Sequence, residues 1–149
     1  MTVKWWLAAA LCLVAAAGVS CGGSEATAPK QTQITGSWNA TKVEYVSTGG
    51  LGTVDLIAGG ATATMVLGAD NSFTYACTPA GGGTPTTTHG TYVLTRDVIQ
   101  VTPTGSAWSW TWSVVLSNNS LRLTGASAEY DFNTDGVGEP ATWNLTFTR

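Results

Sequence analysis

An all-β domain, an antiparallel up-and-down barrel of about eight to ten strands, is the fold this sequence predicts. Three observations carry that expectation. Residues 106–117, SAWSWTWSVVLS, set Trp108, Trp110, Trp112, Val114 and Leu116 at alternate positions, with mostly Ser and Thr between them. A strand sends alternate side chains to opposite faces, whereas a helix would scatter the three indoles around its circumference. Charged residues make up 10% of the chain, against about 25% in an average globular protein. Thr and Gly take their place, and Thr suits the solvent face of a strand. Finally, several alternating runs follow one another through short turns, and no stretch after the N-terminal segment has helical period. A two-sheet, immunoglobulin-like sandwich is the alternative, although its disulfide packed on a tryptophan is missing.

The chain opens with a targeting segment, residues 1–20. Lys4 gives a positive start and about fifteen apolar residues follow, fewer than the roughly 20 a membrane-spanning helix needs. Residues 21–33, CGGSEATAPKQTQ, begin with a cysteine and continue small, polar and proline-interrupted, as a flexible tether does. The folded domain is expected over residues 34–149. With Cys12 in the targeting segment and Cys21 at its border, only Cys77 remains in the domain, so neither an internal disulfide nor a zinc set is available. The net charge is −3, and no basic cluster suggests nucleic acid.

Within the domain, residues 34–46 form a strand whose apolar parity shifts between Trp38–Ala40 and Val43–Tyr45, which a bulge would produce. A weaker apolar run covers 51–58. Residues 61–67 and 72–78 read as a hairpin turning at Asp70-Asn71. Residues 79–89 read as a Gly/Pro/Thr loop. Residues 90–95 and 98–102 form a second hairpin around Arg96-Asp97. The tryptophan strand then turns at Asn118-Asn119 and returns as 121–123. Tyr130 and Phe132 mark a further short strand, and 142–149 closes the chain with Trp143, Leu145 and Phe147 on one face.

Two resemblances add to this reading. Gly18-Val19-Ser20-Cys21-Gly22-Gly23 resembles the lipobox of bacterial lipoproteins, with Gly18 in place of the usual aliphatic residue. That resemblance implies lipidation at Cys21, a membrane anchor and export to the bacterial cell envelope. With no Asp after Cys21, it implies the outer membrane. Ordinary signal-peptidase cleavage is the alternative. Gly36-Ser37-Trp38 is similar to the Gly-x-Trp signature of lipocalins. Together with Val54-Asp55-Leu56, Gly90-Thr91-Tyr92, Leu121-Arg122-Leu123-Thr124-Gly125 and Asp131-Phe132 through Pro140, it resembles the lipocalin-like domains of bacterial lipoproteins. The resemblance implies that Trp38 closes the barrel base beneath Arg149, and that the protein binds a ligand.

Candidate sites follow. Trp108, Trp110 and Trp112, with Tyr75, Tyr92 and Phe147, would line a pocket for a small apolar ligand or lipid. The same indoles would equally fill a barrel whose interior is only just wide enough for side chains, or form an outward patch. Asp131, Asn133 and Asp135 at alternate positions, then Gly136, match the first half of a calcium loop, with the Val137 carbonyl and Glu139 as further donors. Thr142 stands where the bidentate Glu belongs, and a solvated turn is the alternative. Calcium is thus the one cofactor suggested. His89, the single histidine, lies in the Thr/Gly loop with no acid or nucleophile close in sequence, so no enzymatic activity is expected. A packed barrel presenting loops 51–60 and 79–89 to an envelope partner is the second functional reading.

Overall fold

The computed structural model describes residues 27–149. The expected signal segment, with Cys12, and residues 21–26 of the expected tether, with Cys21, lie outside the described residues. A one-turn helix, α1 (Gln31–Ile34), precedes nine strands: β1 (Gly36–Ser47), β2 (Thr53–Asp55), β3 (Thr62–Leu67), β4 (Ser72–Thr78), β5 (Thr86–Thr95), β6 (Val98–Pro103), β7 (Trp110–Ser117), β8 (Ser120–Tyr130) and β9 (Glu139–Thr148). Each strand from β3 onward pairs antiparallel with the next, and β1 pairs with both β3 and β9. Eight strands therefore close into an up-and-down barrel, and β2 adds a short ninth along the upper part of β1. Closure pairs the first barrel strand with the last, while β7 and β8 stay paired only from Ser117–Ser120 to Ser113–Thr124.

The parity shift in the first strand is a bulge. The register of β1 against β9 slips between Ala40 and Lys42. Trp38 and Ala40 thereby point inward below the bulge, and Val43 and Tyr45 above it. One strand thus serves two partners in its lower half and a third, β2, near its end. A second irregularity lies in β8, whose register against β9 slips between Leu123 and Ala126 around Gly125, at φ +95°. Below it β8 pairs with β7 from Ser117–Ser120 to Ser113–Thr124; above it the two strands have no paired residues.

The two ends differ. At the base the hairpin turns are short and polar, with Asn71, Arg96 and Asn118 in the left-handed conformation that turns require. Helix α1 plugs this end. Ile34 is fully buried, and its carbonyl accepts a 2.7 Å hydrogen bond from Trp38 Nε1. The Arg149 guanidinium lies 4.4 Å above the Trp38 ring and donates to the carbonyls of Gln33 and Thr35. Trp38 and Arg149, the pair that the resemblance puts together, are therefore in contact. The opposite end, the mouth, carries the longer connections 48–61, 79–85, 104–109 and 131–138.

Four expectations need correction. The tryptophan strand starts at Trp110, because its partner β6 last pairs at Val101–Trp110 and the chain then turns at Gly105, φ +77°. Trp108 lies on that connection, 53% exposed. Thr86 to His89 are strand, not loop, because β-favouring threonines find partners along β4. Residues 121–123 and Tyr130 belong to one bulged strand rather than two, and Phe132 lies beyond it in the connection to β9. The tether ends in a helical turn, whose single buried residue, Ile34, leaves no period to read. No helix among the described residues is long and apolar enough to cross a membrane.

Substituting Trp38→Ala is expected to lower unfolding stability by about 3–5 kcal/mol. Arg149→Ala, which removes an exposed cation–π contact and two backbone-directed bonds, is expected to cost about 1–2 kcal/mol. Urea titrations of both variants measure this.

Candidate functional site

The barrel centre is filled. The residues expected to line a ligand pocket are divided between the core and the surface, with Trp108 and Trp110 bordering one opening and Trp112 another. Tyr92 and Phe147 are buried, and the Tyr92 hydroxyl reaches the Gly68 carbonyl at 2.8 Å in the β3–β4 turn. Trp112 is buried with its Nε1 bonded to the Trp143 carbonyl at 3.1 Å. Trp110 is half-buried, and Trp108 packs edge-on against it at 4.6 Å in the open. Trp143 is the hub of the upper core. Its ring lies 5.1 Å from Trp110, 5.2 Å from Trp112, 5.5 Å from Tyr75 and 5.8 Å from Tyr45. Its own Nε1 has no hydrogen-bond partner, and the rings around it offer only weak N–H···π contact. These indoles and phenols pack together in the upper interior of the barrel.

A cavity survives above them, at the mouth. It measures about 280 Å³ and is walled by Leu56, Ala61, Cys77, Pro79, Ala80 and Tyr130, with Val54, Asp55 and Gly59 completing its rim. Local chemistry builds each wall. Asp55 Oδ1 accepts hydrogen bonds from the backbone N–H groups of Val43 and Ile57, at 3.2 and 3.0 Å. Those bonds, with Leu56 N–H to the Val43 carbonyl at 2.9 Å, fold the segment after β2 back over the barrel edge. Cys77, near the end of β4, presents a free, half-buried thiol. Tyr130 is held by stacking on Tyr45 at 4.8 Å. Burial, then the neighbouring Cys77 and Tyr130, push the Tyr45 hydroxyl from its ordinary 10.0 up to about 12. Burial first, then Cys77 and Tyr45, push Tyr75 upward as well. Both phenols therefore stay neutral at neutral pH.

The acidic connection between β8 and β9 flanks this mouth. Carboxylate oxygens of Asp131, Asp135 and Glu139 lie within 4.8 Å of one another. The loop is also bound up by its own backbone. Asp131 accepts from the N–H groups of Asp135 and Gly136, Asn133 Oδ1 from Asp135, and Glu139 from Phe132. Val137 N–H donates to Asp135 Oδ1 at 2.8 Å, and the Val137 side chain is 65% exposed. His89 lies elsewhere, on the outer face of β5, where its Nδ1 meets the Thr74 hydroxyl at 3.1 Å.

Sequence reading missed the cavity because none of its walls is conspicuous alone. Cys77 and Tyr130 have inward parity in their strands, and Pro79-Ala80 follows β4 directly. Those were the available signals. The tyrosines make the mouth sensitive to alkali. A phenol whose folded value exceeds its unfolded one keeps its stabilising contribution below about pH 10 and loses it as pH climbs toward 12. The melting temperature is expected to fall steadily across that window, and Tyr45→Phe is expected to flatten the slope.

Comparison with known proteins places this geometry. Residues 34–123 match the family model described as a lipocalin-like domain. That match runs from the buried Ile34 through the lower half of β8. No curated protein shows significant sequence similarity to the chain. Among solved structures, an uncharacterized protein from Bacteroides eggerthii aligns at 18% identity and a TM-score of 0.46, covering 77% of this chain and 98% of that one. A match over more than half the sequence, on a closed eight-stranded antiparallel barrel with one added strand, makes this chain a member of the lipocalin-like domain family.

Proposed function

We propose that this protein is a membrane-anchored, non-catalytic binding protein of the bacterial cell envelope that holds a small apolar ligand at the mouth of its barrel. The fold is a lipocalin-like one, consistent with ligand binding in general. The observation that carries the narrower reading is the mouth cavity, whose exposed lining is mostly apolar and whose volume, about 280 Å³, is near the lower end of ligand pockets at about 300–1,000 Å³. A small hydrocarbon-like molecule fits it, and a long lipid would have to protrude. The aromatic core below sets the floor, so the ligand rests on the barrel rather than inside it. The anchor rests on the lipobox-like residues around Cys21; two acyl chains hold a protein at a bilayer where one is marginal.

An uncharged naphthylamine probe is expected to brighten on binding the protein. Ala80→Trp, in the cavity wall, is expected to abolish that signal while leaving the melting temperature within a few degrees. Probe binding is also expected to slow alkylation of Cys77 by N-ethylmaleimide. Full probe binding by the Ala80→Trp variant would refute the site.

The convergence of Asp131, Asp135 and Glu139 favours a second, compatible reading, weak calcium binding. Three carboxylates, the Asn133 side chain and the Val137 carbonyl approach the six to eight oxygens calcium takes, with water supplying the rest. Chelated protein given millimolar calcium is expected to melt higher, and Asp135→Asn is expected to remove the shift. An unmoved melting curve for the unsubstituted protein ends that reading.

A further inference from the structure

The barrel wall is not sealed between β7 and β8. Residues 110–112 of β7 pair with β6 alone, and residues 126–130 of β8 pair with β9 alone. Continuing the register below would set Thr111 opposite Ala126, yet the two edges part at Gly125. Gly125 sits at φ +95°, and its N–H is taken by the side chain of Asn144 on β9 instead of by β7. Along antiparallel strands every second residue points its N–H and C=O toward the same neighbour. Both edges therefore direct unpaired backbone donors and acceptors into the opening.

The opening has volume along its whole length. A cavity of about 400 Å³ lies between Ser109, Thr111 and Ser113 on one side and Thr124, Gly125 and Ser127 on the other. Above it, a second of about 460 Å³ lies between Trp108 and Trp110 on one side and Ser127, Ala128 and Glu129 on the other. Its two faces differ in chemistry. Trp110, Trp112, Ala126 and Ala128 have inward parity, while Ser109, Thr111, Ser127 and Glu129 face out. Glu129 is the charged residue among the lining, and Asp131 follows just above it; no Lys or Arg lines either cavity. Arg122 lies below the closure at Ser113–Thr124, paired opposite Val115.

We propose that this parted wall receives an extended segment of another polypeptide by strand addition, and that the segment alternates apolar and basic side chains. Backbone pairing with both edges supplies affinity. Apolar side chains pack inward on Trp110 and Ala128, and the intervening basic ones lie outward beside Glu129. The opening adjoins the mouth cavity at Tyr130 but does not depend on a ligand there. A second copy of this chain fits poorly, since it would bring its own Glu129 and Asp131 to the same place.

The test uses the full chain in mild detergent and a short capped peptide of alternating valine and lysine. Hydrogen exchange is expected to slow at residues 110–112 and 126–130 when the peptide binds. N-methylation of alternate peptide nitrogens is expected to weaken binding by about tenfold or more in either register, because an inserted strand is flanked on both sides. Glu129→Lys, on an exposed side chain, is expected to reverse the preference, favouring a valine–glutamate peptide over the valine–lysine one. Three results would overturn the proposal: no protection at millimolar peptide, equal binding of the N-methylated peptides, or protection of the same edges by dimerisation without peptide.

Discussion

Everything above the base depends on how the two ends of the domain are joined. A barrel closes only if its first and last strands pair, and here that pairing runs from Ser47–Ala141 to Asn39–Thr148, across nearly the whole domain. Loop closure over such a distance is entropically unfavourable and must be offset by dense contacts at the join. Trp38, Ile34 and Arg149 supply them. The indole is gripped from one side by the carbonyl of Ile34 and from the other by a guanidinium that also binds the backbone before β1. One large aromatic residue thus ties N-terminal helix, first strand and last residue together. Gly36 makes the bend possible, at φ +126°, where a side chain would be strained.

The second constraint is volume. An eight-stranded barrel has space for side chains or for one small ligand, and aromatic residues take up space quickly. Trp143, Trp112, Tyr75 and Tyr45 occupy the upper interior here, so binding capacity is displaced to the rim. The same crowding accounts for the lone unsatisfied Trp143 Nε1 among the buried side chains described. It is enclosed by rings rather than polar partners.

Much of the architecture was legible in alternation. The hairpin of β3 and β4 shows it plainly, since Met65, Leu67, Phe73 and Tyr75 fall on one parity and all face the core. The shift between Ala40 and Val43 announced the bulge in β1. Alternation says nothing, however, about where a partner strand runs out. Trp108 shares the parity of Trp112 yet stands in solvent, because β6 has already turned away. Thr86–His89 were hidden for the converse reason: Gly, Pro and Thr read as loop until β4 offers its edge. The functional site was less visible still. Leu56, Ala61, Cys77 and Tyr130 are scattered along the sequence, and only barrel topology gathers them.

The path of the chain into the base has a consequence for orientation. Thr27 to Pro29 run beside Asp97 and Val114 to Leu116, at the end of the barrel that α1 plugs. The described chain thus begins at that end, and the few residues between Cys21 and Thr27, even fully stretched, would reach only about 20 Å. A body fastened at Cys21 would thus stand on its plugged end, like a cup on its foot. Its cavity and the parted wall's upper half would be raised toward the aqueous side, and traffic in and out would come from that side rather than from the anchoring surface.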